Sequence, residues 1–242
     1  MSTSNSTTYA LNAGQMITRA YQLLGVLNGA GDVPDEDQYQ RAIQSLNMML
    51  KDWQMDGTNL WRETQVSLTV QAGQGCFGNP IELSPLVLDV SEARWVQTPA
   101  PNQYERQLGR NTYFQYTQQS NKLQQTGSPF TFMFDRQVAG SNLYIWPLLN
   151  AAGTINCTVA RSVEDVIEPT DTLDVPIFAQ QAVLYNLADR LMEDNGLGMT
   201  DAATAARITQ RAETFYTKLK NFDRPTSIFF LPYGKNRSGF YK

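Results

Sequence analysis

Apolar positions along the chain repeat with three different periods. Ile17, Ala20, Tyr21 and Leu24 recur at i, i+3, i+4 and i+7, which predicts an amphipathic helix capped by Asn12 and ended at Gly25. After the loop "NGAGDVPD", Asp35 starts a second helix, with Glu36 and Asp37 in the first turn where the helix dipole favours them. Its stripe is Tyr39, Ala42, Ile43, Leu46, Leu50 and Trp53, and Gly57 in "MDGTN" is its expected left-handed stop.

From about Thr64 to Val166 the pattern changes to short runs rich in β-branched and aromatic residues. "TQVSLTV", "VLDVSEARWVQ", "PFTFMFDRQ", "NLYIWPLL" and "TINCTVARSV" are punctuated by Gly, Pro, Asn and Ser. They predict an antiparallel sandwich or a barrel-like sheet. The glutamine-rich stretch 103–125 reads as a long loop with a short helix near Asn111–Gln118. Helical period then returns. "EPTDTLDVP" is a linker, with Asp174 as cap and Pro176 in the first turn of a helix that buries Ile177, Leu184, Leu187, Ala188 and Leu191. "EDNGLG" breaks it. Thr200 is the expected cap of a last helix carrying Ile208, Ala212, Phe215, Leu219 and Phe222.

These zones predict an α+β fold. An antiparallel helical bundle of about four helices is assembled from residues 12–62 and 174–222. An antiparallel β-sandwich-like domain, residues 63–173, is inserted between its halves. Residues 1–11 form a polar leader without the basic and apolar parts of a signal peptide, and residues 223–242 form an extended C-terminal arm. No stretch approaches the ~20 apolar residues of a membrane helix.

Chemistry narrows the picture by what is missing. The chain has no histidine, which removes Ser-His-Asp and Cys-His catalysis, histidine general bases and histidine-ligated zinc. It has no phosphate-binding glycine motif. Cys76 and Cys157 lack metal-ligand spacing, and two buried thiols of a reducing compartment are favoured over a disulfide. Carboxylates are paired at Asp35/Glu36/Asp37, Glu164/Asp165 and Glu193/Asp194, but sites in loops and helix starts read as solvated or capping groups. Trp53 lies on an apolar stripe, Trp146 precedes Pro147 at a strand end, and Met48/Met49 read as filling the core or an interface. No cofactor, metal or catalytic residue is expected.

The C-terminus is unlike the rest. From Lys218 onward six basic residues face one aspartate, a net +5 in a chain of −4, so the remainder carries −9. The arm "PTSIFFLPYGKNRSGFYK" is also aromatic, whereas disordered tails are usually poor in aromatics. It reads as a segment that folds onto a partner. Phe229, Phe230, Tyr233, Phe240 and Tyr241 are the expected anchors, with Lys235, Arg237 and Lys242 as the charges that guide docking.

The order of parts resembles a known family. "ITRAYQLLGVLNGAGDVPDEDQYQRAIQSLNMMLKDWQMDGTNLW" is similar to the opening of head-to-tail adaptor (connector) proteins of tailed bacteriophages, especially short-tailed ones. The matching positions are Leu24-Gly25, Leu46, Met49, Leu50, Trp53, Asp56 and Gly57, followed by a third helix with Tyr185 to Ala188. "LYIWPLLNAAGTINCTVARSVEDV" resembles the β insertion of tail-tubular relatives, where a strand ends in a Trp-Pro pair. The resemblance implies a structural protein of the virion neck without enzymatic activity, assembled in the host bacterial cytoplasm. It also implies a twelve-fold ring of the chain with itself beneath the portal protein ring. Such a ring lines the channel for genomic DNA without gripping it, offers a platform to a tail or nozzle protein, and involves no membrane. Two readings from other classes stand beside it. One is a virion-borne, carboxylate-dependent peptidoglycan hydrolase, and the other is a nucleic-acid-binding module using the basic tail.

Overall fold

The computed structural model describes residues 9–29, 31–56, 60–97, 104–122, 126–138, 140–196 and 201–222. These form a mixed α+β fold. Helices α1 (Ala13–Leu23) and α2 (Glu36–Met55) come first. The β region follows, with one short helix, α3 (Tyr113–Thr117), inside it. Helices α4 (Gln180–Asp194) and α5 (Ala202–Phe222) close the described chain.

The two early helices start as their sequences predict. Asn12 and Asp35 each make a reciprocal capping box, with Gln15 and Gln38 at the third helical position. Gly25 takes φ 73°, the left-handed conformation expected after α1. The apolar stripes of both helices meet those of α4 and α5 in one cluster, and α4 packs on α1, α2 and α5. Leu46, Leu50, Trp53, Leu187, Leu191, Ile208 and Leu219 are buried there, with Leu184 and Phe215 packed against them. Met49 is buried and Met48 is exposed.

The β region holds two small sheets, neither closed into a barrel. In the first, the order is β1 (Glu63–Val70), β10 (Gly153–Arg161), β3 (Val87–Gln97) and β4 (Tyr104–Gln107), antiparallel throughout. In the second it is β2 (Ile81–Leu83), β8 (Ser141–Trp146), β7 (Thr131–Arg136) and β5 (Gly109–Arg110). The pairing is predominantly antiparallel, as the sequence predicts, with two short exceptions: β5 runs parallel to β7 and β6 (Thr126–Gly127) parallel to β9 (Leu148–Leu149). Both parallel partners are two residues long and belong to connecting segments that run alongside a strand after a crossover.

The sheets share a core of Val90, Ala93, Trp95, Phe132, Leu143, Ile145 and Ile155. Trp95 lies so close to Gly153 that an added Cβ would sit 1.8 Å from its ring. On the outer side of the second sheet, Met133 and Tyr144 pair across β7 and β8 and are covered by Tyr116 of α3, whose hydroxyl donates to the Gly75 carbonyl at 3.3 Å. The predicted short helix in the glutamine-rich stretch is therefore present, and it plugs a sheet.

Between β10 and α4 the chain runs back along the helices. Val163 and Val166 join the helical cluster. The Asn47 side chain donates to the Val166 carbonyl at 2.8 Å and accepts from its N–H at 2.9 Å. Lys51 donates to the Val163 carbonyl at 2.7 Å and pairs with Asp165 at 2.7 Å. Further on, the carbonyls of Pro169 and Asp171 accept the first-turn amides of Gly14 and Ala13 at 2.7 and 2.9 Å, which satisfies donors that every helix start leaves open.

Several sequence expectations need correction. Asp174 does not cap α4. It holds Arg161 through two hydrogen bonds of 2.5 and 2.7 Å and accepts the Glu164 N–H at 3.1 Å, while α4 is entered through a 3-10 turn at Ile177–Ala179 behind Pro176. An arginine fork outcompetes backbone amides for one carboxylate. Asp201 accepts the Thr204 N–H at 3.1 Å and supplies the cap of α5 expected of Thr200, which lies outside the described residues with Gly57. Ile177 and Phe222, expected in the buried stripes, are 48% and 71% exposed, because each sits at a helix end beyond the facing helix.

Three measurements check this account. Trp53→Ala or Leu187→Ala is expected to cost ~2–5 kcal/mol in denaturant unfolding, as for other large-to-small core changes. Gly14→Ala is expected to lower the melting temperature, although alanine is the better helix former. The new Cβ would lie 2.9 Å from the Pro169 carbonyl oxygen, a backbone atom that cannot turn aside.

Burial alone would raise the Asp174 carboxyl. The hydrogen bonds from Arg161 and from the Glu164 amide outweigh it and hold the group below the usual carboxylate range. A carboxyl depressed in the folded state adds stability that is present above its unfolded pKa of ~3.9 and is lost as pH falls through the folded value. Wild type and Asp174→Asn are therefore expected to differ in melting temperature at pH 7, with wild type higher, and to converge at pH values below that window.

Candidate functional site at the end of α5

The predicted partner-binding residues Phe229, Phe230, Tyr233, Lys235, Arg237, Phe240, Tyr241 and Lys242 all lie outside the described residues. What is described is the base from which that segment departs. The last turns of α5 are fixed against the end of α2. Tyr216 stacks on Trp53 with ring centroids 5.0 Å apart, and its hydroxyl donates a short hydrogen bond to Asp56 Oδ2. Lys220 Nζ pairs with the same carboxylate oxygen at 2.9 Å and lies 4.6 Å from the Tyr216 ring centroid. The hydrogen bond from Tyr216, then that from Lys220, holds the Asp56 carboxyl below its ordinary range. Burial, and then the Asp56 carboxylate, raises the Tyr216 phenol. Both shifts keep the pair in one protonation state at neutral pH, Tyr216 as donor and Asp56 as acceptor.

Beside this lock lies an apolar strip. Phe222 meets Phe178 at 4.7 Å between centroids, and Phe178 in turn meets the edge of Trp61 at 6.4 Å. Phe178 is 54% exposed and Ile177 lies next to it. A groove of about 320 Å³ runs between them, lined by Phe178, Ala182, Phe215, Lys218, Leu219 and Phe222. Sequence reasoning missed it by assigning Ile177 and Phe222 to the core. The available signal was position: both stand at the outer end of their helical stripes, next to proline or to the end of the period.

The three carboxylate groups singled out in the sequence face solvent or make local contacts. Asp35 caps α2, Asp165 pairs with Lys51, and Asp194 accepts from Ser45 at 3.5 Å. All seven residues of the three carboxylate groups are exposed. A groove of about 930 Å³ beside α1 and α4 has a single carboxylate among its described lining residues, Asp32, which accepts the Gly29 N–H at 2.7 Å. Among the described residues no group of three Cys, Asp or Glu side chains is placed to hold a metal ion, and no helix is long and apolar enough to cross a membrane.

Cys76 and Cys157 are buried and unbonded to each other, as expected. Burial pushes the Cys157 thiol up to about 12, so it stays protonated and unreactive at neutral pH. Trp146 packs edge-on against Phe130 at 4.8 Å, in keeping with a packing role. Compared with known proteins, the chain matches no family model and no curated protein sequence.

The lock generates its own test. Asp56→Asn is expected to leave the fold intact but to loosen the end of α5, seen as faster amide hydrogen exchange over residues 216–222 than over the middle of the helix. Equal exchange in variant and wild type would show that Trp53 stacking alone fixes the helix end.

Proposed function

We propose that the chain is a structural virion protein, a head-to-tail adaptor that assembles as a twelve-fold ring beneath the portal ring of a tailed phage and offers a platform to the tail. On this reading it is an antiparallel bundle of about four helices, with a β-sandwich-like domain inserted at residues 63–173 and an arm at residues 223–242. The observation that carries the proposal is the order of parts. Helices from both ends of the chain share one core, a β region is hung between them, and the last helix is pinned where a basic, aromatic segment begins. This order is the one that resembles the adaptor family, whose arms reach up to the portal.

Each part then has a task. The body, with its net −9, suits a DNA channel because it offers phosphates few lasting contacts. In the arm, Phe229, Phe230, Tyr233, Phe240 and Tyr241 fill grooves between portal subunits, and Lys235, Arg237 and Lys242 meet acidic groups there. Pro225 and Pro232 lower the ordering cost of docking. No catalysis is required.

Truncation after Arg224 tests the assignment. The isolated truncated protein is expected to melt at the wild-type temperature and to fail to attach to portal-bearing heads. A truncated protein that melts lower and still attaches would return the arm to the subunit's own fold. If the arm as a free peptide binds DNA tightly and with steep salt dependence, the basic tail serves nucleic acid instead.

A further inference from the structure

The first sheet ends in two free edges, β1 and β4. β1 is eight residues long and pairs with β10 without a break, from Glu63↔Ala160 to Val70↔Gly153. Among the described residues no backbone hydrogen bond reaches its other side, where Ser67–Thr69 face an open groove of about 540 Å³ whose far wall is Gly78–Glu82. Folded proteins usually blunt such an edge with lysine, proline, a bulge or a covering loop. The β1 sequence ETQVSLTV has no lysine or proline, its pairing has no bulge, and most of its residues are exposed. At the opposite edge, β4 is exposed at all four positions.

We propose that β1 of one copy pairs with β4 of the next, so that the sheet continues from subunit to subunit. Strand direction permits it. β1, β10, β3 and β4 alternate, so β4 of one copy and β1 of its neighbour run antiparallel when the copies are related by rotation about an axis along the strands. The register follows from closure. Leu68, Ile155, Trp95 and Arg106 lie in one cross-strand row. A ring without axial rise keeps rows level, so Arg106 of one copy must meet Leu68 of the next. Tyr104 then meets Val70, Glu105 meets Thr69, and Gln107 meets Ser67.

The chemistry of the two edges suits that register. Val66 and Leu68 are half-buried at the rim of the sheet core, on the face shared by Tyr104 and Arg106, and Tyr104 is 65% exposed. Tyr104 and the stem of Arg106 would cover this open rim, and no like charges stand opposite each other. Two different edges make a heterologous contact, which propagates and closes only if the rotation allows. The pairing rests on the adaptor proposal for its closure into a ring and for the level register that closure sets.

Cysteine cross-linking of the full-length chain tests the register, since Cys76 and Cys157 are buried. Under mild oxidation the double variant Ser67→Cys/Gln107→Cys is expected to give a ladder of covalent oligomers on a non-reducing gel. Thr69→Cys/Glu105→Cys is a second in-register pair, should the first fold poorly. Each single variant, and the off-register pair Glu63→Cys/Gln107→Cys, is expected to stay monomeric on the gel. Dimers from Ser67→Cys alone, or a chain that remains monomeric at every concentration reached, would overturn the proposal. Electron microscopy of the same samples separates the two claims. Closed rings without cross-links sink the edge pairing and spare the adaptor reading, whereas open-ended ladders keep the pairing and sink the ring.

Discussion

The whole architecture depends on the pairing of β1 with β10. One strand carries the chain out of the helices and the other carries it back, and they are joined side by side from Glu63↔Ala160 onward. That single ladder puts the exit and the return of the β region next to each other. Without it, α4 and α5 would start far from α1 and α2, and the apolar stripes of both pairs would have no partner. With it, α4 can lie against α1, α2 and α5 at once. Contacts across so long a stretch of sequence carry a large loop-closure cost before any apolar surface is buried. The ladder spreads that cost over eight paired residues.

The junction between sheet and helices is then secured by polar contacts. Arg161 at the end of β10 is gripped by Asp174, and Lys51 and Asn47 of α2 take up the backbone between them. Arg62, at the other side of the junction, donates to the Arg161 carbonyl at 3.4 Å. Buried apolar contacts tolerate sliding, whereas forked charge-assisted bonds and paired amides fix one geometry. The β region is thereby held at a defined angle to the helices, a property that a subunit needs if many copies are to repeat the same contact around an axis.

Much of this was legible in the sequence because period reports burial. The stripes of α1 and α2, the caps Asn12 and Asp35, and the extent of the β region all follow from local patterns that the fold does not override. Pairing does not follow from local pattern. Nothing in "TQVSLTV" says that its neighbour is "TINCTVARSV", some ninety residues away, and nothing in the two-residue segments of β5 and β6 announces a parallel bridge. The role of Asp174 is hidden for the same reason. Its spacing from Pro176 fits a cap, but Arg161 arrives from another strand, and sequence distance hides that competition. Ile177 and Phe222 of the apolar strip read as core because a stripe does not reveal where its facing helix ends. The predicted anchors, in turn, belong to a segment whose fold-independent chemistry is all the sequence can offer.

The free edge of β1 is a consequence of its place in the chain. A strand that leaves a helical core and must pair with the returning strand has one side committed, and its other side can be covered only by a further strand, by a loop or by another molecule. Among the described residues no strand or backbone hydrogen bond reaches that side, and at Ser67–Thr69 an open groove of about 540 Å³ separates it from the segment Gly78–Glu82. An uncovered edge of this length invites uncontrolled pairing, and selection usually removes it with a lysine or proline at little cost to the fold. Keeping eight uninterrupted residues, with threonine, serine and valine in the positions that favour strands, makes physical sense when the edge has a partner in the assembled state. The outward-facing Ser67, Asn156, Glu105 and Arg94, already linked across all four strands by hydrogen bonds and an ion pair, would then extend unbroken into the next subunit through Gln107 and Ser67. A repeat of that kind adds backbone bonds and side-chain ladders with each copy while asking no change of the subunit itself.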